Sequence, residues 1–396
     1  MTRARRTPLS TILALAVGLV SAIPAAGHAG GLMEAVSGGS PSLDLRYRYE
    51  MVDQTGIADT AQASTLRTRL GYATGAFHGA KAMVEFENIA TIDGDEYNST
   101  RNGKTGRPVV ADPDGTELNR VALGYAADAL SATVGRQRII FDNARFVGNV
   151  GWRQNEQTFD AARLDYKASD ALSASYAYLW NVNGIDFSDA AHDSHLLNVA
   201  YGVPKAGKLT AYGYLVNNDD APATASQTLG LRYTGDYDVN TVKLGVTAEY
   251  AAQSEFAGSA IADSDYLFGE LSGTAAGVTA GLGYEVLGGD GTSAFQTPLA
   301  TKHAFNGWAD KFLATPVNGL ADLMLTVSGK VAGVKLVGVY HDFAADSGGT
   351  DYGTELDLLA AKKLGPHTLG VKYASYSADS LATDTDKLWL FAETAF

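Results

Sequence analysis

The chain alternates apolar and polar residues over short stretches many times along its length. Leu43, Leu45, Tyr47, Tyr49 and Met51 fall on one parity, and Asp44, Arg46, Arg48 and Glu50 on the other. Further on, Leu66, Leu70 and Tyr72 oppose Arg67 and Arg69. At the end, Leu388, Leu390, Ala392, Thr394 and Phe396 oppose Lys387 and Glu393. A two-residue period places successive side chains on opposite faces of a strand. Counting such stretches gives about eighteen strands, with about sixteen as the alternative. The clearest lie at 43–51, 66–74, 80–88, 119–125, 172–180, 242–250, 278–286, 369–375 and 388–396.

The connections separate into two classes that alternate. Short ones fall at 74–78, 126–129, 168–171, 204–207, 235–239, 275–277, 332–333 and 365–367. Between them lie longer ones at 53–62, 93–116, 139–157, 183–193, 217–226, 253–263, 288–320, 344–351 and 378–385. A soluble sandwich could show the same alternation strand by strand, but it has no reason to sort its loops to two ends. A transmembrane, antiparallel, up-and-down β-barrel does, with short turns at the periplasmic rim and long loops outside. An even strand count then puts both termini at the periplasmic rim. The fold expected is therefore all-β, and the location the bacterial outer membrane.

The N-terminus modifies this picture. Arg3, Arg5 and Arg6 precede an apolar run from Leu9 to Ile23, followed by small residues up to Ala29. Basic start, apolar middle and small residues at the cut describe a secretory leader. Residues 1–29 are expected to be that signal peptide and 30–396 the barrel. The apolar run is shorter than the ~20 residues a spanning helix needs, and no other run approaches it. With no cysteine in the chain, disulfides, thiolate metal sites and cysteine nucleophiles are excluded. A net charge of −14 argues against a nucleic-acid partner.

Charge also suggests what the interior does. Apart from the leader, every arginine but Arg232 lies between Arg46 and Arg163. Arg46, Arg48, Arg67, Arg69, Arg120 and Arg163 fall on the face opposite the apolar one. Adjacent strands are ~4.8 Å apart, so these side chains should gather as a basic stripe on about a third of the wall. Such a stripe either meets an anionic cargo, since arginine binds carboxylates bidentately and keeps its charge, or braces the wall against Asp44, Glu50, Glu85, Glu87 and Asp165 on the same face. No catalytic constellation is recognisable, and neither an enzyme, a cofactor nor a metal is expected. His192 and His195 flank Asp193 in what reads as a solvated loop. His341 and Asp342 fall on opposite faces of a strand. In the 288–320 loop, Phe305, Trp308 and Phe312 stand near helical spacing, as either a short helix in the barrel mouth or a loop packed on its neighbours.

The stretch Gly135-Arg136-Gln137-Arg138-Ile139, Asp142-Asn143-Ala144-Arg145-Phe146-Val147-Gly148, Gly151-Trp152-Arg153-Gln154-Asn155 and Thr158-Phe159-Asp160 resembles the alginate-export family of outer-membrane barrels. Phe305-Asn306-Gly307-Trp308-Ala309-Asp310-Lys311-Phe312 is similar to a second stretch of that family. The resemblance implies an eighteen-stranded channel whose basic lumen passes an anionic, alginate-like uronate polymer. It adds Arg136, Arg138, Arg145 and Arg153 as candidates for holding uronate carboxylates. A general or anion-selective porin for small anionic solutes is the alternative. Outer-membrane lipid and the barrel assembly machinery are the other partners expected, because a terminal aromatic at Phe396 resembles the assembly signal of such barrels. Deleting Phe396 is expected to reduce the amount of folded protein in the outer membrane; unimpaired insertion would remove that role.

Overall fold

The computed structural model describes residues 31–396, and the expected signal peptide lies outside the described residues. Eighteen strands form one sheet: β1 (Ser40–Gln54), β2 (Ala61–Ala73), β3 (Ala80–Glu96), β4 (Gly115–Ala127), β5 (Leu130–Gln137) and β6 (Thr158–Lys167). They continue as β7 (Leu172–Asn183), β8 (Asp189–Val203), β9 (Gly207–Val216), β10 (Ser226–Val239), β11 (Val242–Glu255) and β12 (Ser264–Ala275). The last six are β13 (Val278–Leu287), β14 (Leu320–Val331), β15 (Val334–Ala344), β16 (Asp351–Leu364), β17 (His367–Ala378) and β18 (Thr385–Ala395). Each strand pairs antiparallel with its neighbours in the chain, and β1 also pairs with β18, with Tyr49 opposite Leu390. At the seam, Leu43 and Phe396 exchange backbone hydrogen bonds of 2.8 and 3.1 Å. The sheet is thus a closed barrel, with the strand count and termini that the sequence pattern implies.

Closure lets the wall face hydrocarbon, because no strand edge is left unpaired. Its outer face is apolar. Leu323, Leu325 and Val327 of β14 are about half exposed, while Asp322 beside them points inward and is fully buried. A lysine or arginine facing lipid at the bilayer midplane would cost about 2–4 kcal/mol, so the charged parity of each strand turns inward. No described helix is long and apolar enough to cross a membrane; the strands do the crossing. A short helix, Leu32–Ser37, sits at the short-turn rim, where Tyr72 donates to the Val36 carbonyl and the Gly75 amide to that of Ala35.

Much of the interior is occupied by loops packed against the wall. Two long loops, 138–157 and 288–319, fold into the bore. Phe141 stacks on Tyr214, Phe146 packs against Tyr212, Tyr266 and Phe295, and Phe312 against Phe343. The loops join each other as well. Gly148 donates to the Leu299 carbonyl at 2.9 Å, and Thr301 to that of Ala144 at 3.0 Å. The hydrophobic core therefore lies between loops and wall, inside the barrel.

One open alternative is settled, in favour of a loop packed on its neighbours, and one expectation about local structure changes. The 305–312 run does not form an α-helix; the loop holds only a single 3-10 turn, Lys302–Ala304. Asn306, Gly307 and Asp310 have positive φ, which breaks any helical run, and the aromatics part company: Phe305 lies by Arg145, Trp308 by Lys372, and Phe312 in the core. His192 and His195 lie on β8 and not in a loop, since that strand begins at Asp189. Three residues apart on a strand, they take opposite faces. His192 is buried inside beside Ser194, and His195 hydrogen-bonds Tyr176 on the outer face.

Candidate functional site

The ten candidate arginines, six from the expected stripe and four from the family resemblance, divide by what they touch. Arg46, Arg48, Arg67 and Arg69 do point inward from β1 and β2, yet all four are buried. Loop 138–157 lies on them and uses their donors. Arg46 reaches the Gln154 side chain at 3.0 Å and the carbonyls of Gly151, at 2.9 Å, and Arg153. Arg48 donates to the Trp152 carbonyl, sits 4.1 Å over the Trp152 ring and pairs with Asp112 at 3.4 Å. Arg67 pairs with Asp44 at 2.5 Å, and Arg69 with Glu87 and, at 3.4 Å, with Glu156. The guanidiniums of Arg46, Arg48 and Arg67 satisfy loop carbonyls that would otherwise be stranded in the interior, and Arg69 pairs with the loop's Glu156. They differ from a water-lined stripe because the loop, not the solvent, covers them.

Arg145 and Arg153 belong to the loop itself and reach back across the bore. Arg145 forms a bidentate pair with Glu285 of β13, 2.7 Å at its closer contact, and meets Asn306 at 3.0 Å. Arg153 bridges Glu50 of β1 at 3.1 Å and Asp310 of the other loop at 2.8 Å. Both are buried. Glu156 anchors the loop's far end to Asn119, Arg138 and Asn149. Burial disfavours its charge, but Arg69 and Arg138 outweigh burial and bring its pKa down to about 2.

The remaining four arginines keep water. The side chains of Arg120, Arg136, Arg138 and Arg163 are 21%, 24%, 29% and 24% exposed. They lie on β4, β5, β6 and the adjoining start of loop 138–157. Each has one or two carboxylate partners: Glu85 for Arg120, Asp160 for Arg136 at 2.8 Å, Glu85 and Glu156 for Arg138, and Asp165 for Arg163 at 2.7 Å. A polar cavity of about 450 Å³ opens beside Arg136, bordered by Glu117, Asp160, Trp180, Asn181 and Asp189. Two irregularities shape this face. The β3–β4 register shifts at Glu85/Phe86, skipping Asn119, so Asn119 and Arg120 both bond Glu85. The β6–β7 register shifts at Asp160/Ala161, and Trp180 and Asn181 then both border the cavity.

Across the bore, β13, β14 and β16 present Glu285, Asp322, Glu355 and Asp357, all buried. Loop 288–319 docks on them. The Trp308 amide donates to Asp357 at 3.1 Å, the Ala309 amide to Glu355 at 2.6 Å, and the Asn306 side chain to both Glu285 and Asp322. Acidic wall and basic wall are thus each consumed by a loop, and the partly free surface is the β4–β6 face.

Where the loops meet, His303 stacks on Trp152 with ring centres 5.2 Å apart. Its Nδ1 contacts Asp310 at 2.7 Å and its Nε2 lies 2.7 Å from the Lys372 ammonium, which sits 3.7 Å over Trp308. Lys387 reaches Asp310 at 2.8 Å. Burial above all pushes the His303 pKa well below its usual value, with Lys372 and Arg153 adding to the effect against Asp310. Burial disfavours the Asp310 charge too, but His303, Lys387 and Arg153 outweigh it and hold the carboxyl well below the usual range. Glu156, His303, Asp310 and Lys372 carry this arrangement and were not singled out from sequence. The acidic positions inside the two family-like stretches were the available signal, but their partners are remote in the chain. Among the described residues no cluster suits a metal ion.

The alginate export family profile matches residues 40–286. No curated protein sequence matches the chain. Among solved structures, Pseudomonas aeruginosa OccK9 (OpdG) is similar at a TM-score of 0.75 and 15% identity, over 91% of this chain and 99% of that one. P. aeruginosa OpdK with vanillate is similar at 0.73 and 14%, over 91% and 99%. Acinetobacter baumannii OccAB2 is similar at 0.71 and 18%, over 92% and 99%. At these identities the likeness is one of fold.

Arg153→Ala leaves Glu50 and Asp310 without a shared cation. It is expected to destabilise the loop junction by about 3–5 kcal/mol, read as faster amide exchange in 138–157 and 288–319; unchanged exchange would count against a bracing role. The junction should also loosen in acid. A His303 freed from burial takes up a proton near its ordinary pKa, about 6.5, which the buried ring resists. The stabilisation is therefore complete above that pH and declines below it, and Asp310 adds a further loss once pH falls below about 4. Current noise in planar bilayers is expected to rise between about pH 7 and about pH 5. The rise should be smaller in His303→Gln, and equal noise at both pH values in the unaltered protein would contradict it.

Proposed function

The chain belongs to the alginate export family, an outer-membrane channel family, and on that premise we propose that it passes an anionic, alginate-like uronate polymer along the β4–β6 face. The observation that carries the reading is the group of four partly exposed guanidiniums on this face, Arg120, Arg136, Arg138 and Arg163, of which Arg136 borders the polar cavity. Arg46, Arg48, Arg67, Arg69, Arg145 and Arg153 hold the loops that narrow the passage.

The mechanism is electrostatic. Each exposed arginine already shares its fork with one or two carboxylates, so a passing uronate competes with Glu85, Glu156, Asp160 or Asp165 for part of the donor set. That competition keeps every site weak, which conduction requires: a bound anion must be able to leave for the next site. No chemistry on the cargo is called for, and the family and the similar folds are channels. Residues 1–29 act as a cleaved export signal in this reading. Lipid and the barrel assembly machinery are the remaining partners.

A second reading is supported by the loops themselves. Two segments locked across the bore by buried ion pairs favour small anionic solutes over a wide polymer, and OpdK, of similar fold, is known with vanillate. Reversal potentials in planar bilayers, with and without uronate oligomers of increasing length, separate the two. Arg136→Glu with Arg163→Glu is expected to lower or reverse anion preference while the barrel still folds. Unchanged selectivity would remove the β4–β6 face from the path. Block by monomers alone, with none by longer oligomers, would favour the small-solute reading.

A further inference from the structure

A second cavity, of about 400 Å³, lies on the long-loop side of the loop junction. It is separate from the β4–β6 face. Val109 of the 97–114 loop, Ile185 of the 184–188 loop, and Pro298 and Leu313 of the 288–319 loop supply apolar wall. Arg153, Lys302, Lys311 and Lys387 supply four cations, against Asp186 and Asp310. Asp310 is already committed to Arg153 and Lys387, each at 2.8 Å, and to His303. Asp186 hydrogen-bonds Ser188 in its own turn. Among the described residues Lys302 and Lys311 have no ion-pair partner, and neither ammonium is sealed from water.

Two ammoniums in one recess without a direct ion-pair partner are unusual in a chain of net charge −14. Partial burial weakens their hydration, and among the described residues no carboxylate lies within ion-pair distance of either, although Asp310 and Glu355 act on Lys311 from further away. Burial, then neighbouring Lys387, brings the Lys311 pKa down to about 8; burial, then Arg145, lowers that of Lys302. An incoming carboxylate would relieve both, through charge-assisted hydrogen bonds in a recess of low dielectric. The apolar wall would cover the rest of such a ligand. The volume falls in the range of small-molecule sites, about 300–1,000 Å³.

We propose that this mouth cavity binds one small carboxylate, with a body about the size of a single sugar or aromatic ring, through Lys302 and Lys311. The site lies outside the β4–β6 face and does not depend on the lumen being anion-selective.

Calorimetric titration of the detergent-solubilised protein tests it, with galacturonate and benzoate as probes and glucose as the uncharged comparison. Saturable binding of galacturonate, benzoate or both, without binding of glucose, is expected. Lys302→Gln with Lys311→Gln should weaken that binding at least about tenfold, as the loss of a charge-assisted contact implies. Lys363→Gln, exposed at the short-turn end of β16, should leave it unchanged. Leu313→Trp, which fills the recess without touching a charge, should also abolish it and guards against misfolding of the lysine variant. Absence of saturable binding to the unaltered protein, or full affinity in the double lysine variant, overturns the site. Neither result bears on reversal potentials, so failure here is distinct from failure of the channel reading.

Discussion

The pairing of β1 with β18 is the constraint on which the rest of the molecule depends. In hydrocarbon no water can satisfy a free backbone N–H or C=O, so a sheet that crosses a bilayer must have no edge. Once the register Tyr49 to Leu390 is set, every residue has its face assigned. One parity meets lipid and must be apolar. The other meets the interior and is free to carry charge. The arginines of β1 and β2 are inside because the outside will not take them.

An eighteen-stranded wall encloses more space than its own side chains can fill. Here loops 138–157 and 288–319 occupy much of it, and their backbone polar groups need partners once water is displaced. Arg46 and Arg48 on one wall take loop carbonyls; Glu355 and Asp357 on the other take loop amides. The opposite charges of the two walls thus match the opposite ends of the peptide dipoles laid on them. The interior charges form a polar core, and their number says little about how much of the bore is open.

That allocation decides where function can reside. Charges committed to a loop are shielded from a solute, and charges beside the β4–β6 cavity are not. The same residue type therefore serves two purposes a few strands apart: Arg48 holds a loop, and Arg136 meets water. The loop junction at His303, Asp310 and Trp152 ties both inserts together, so a disturbance at one is felt by the other.

Much of the fold was legible in the sequence, because lipid imposes a period of two on every strand and the two rims impose different loop lengths. The final strand shows this plainly, with Leu390 outward and Trp389 inward as parity requires. The inward direction of Arg46, Arg67 and Arg163 was equally legible. Whether those arginines face water was not, since it depends on a loop more than eighty residues away in the case of Arg67 and Gln154. The register shifts at Glu85 and Asp160, the strand that takes in His192, and the positive-φ residues that unmake a helix at 305–312 also left no periodic trace. By itself the sequence determined the barrel, its strand count and which parity of each strand turns inward, because parity and loop length are local properties repeated many times. Only the tertiary structure decided which charges hold loops and which remain open to solutes, because each such pairing is a single contact between segments distant in the chain.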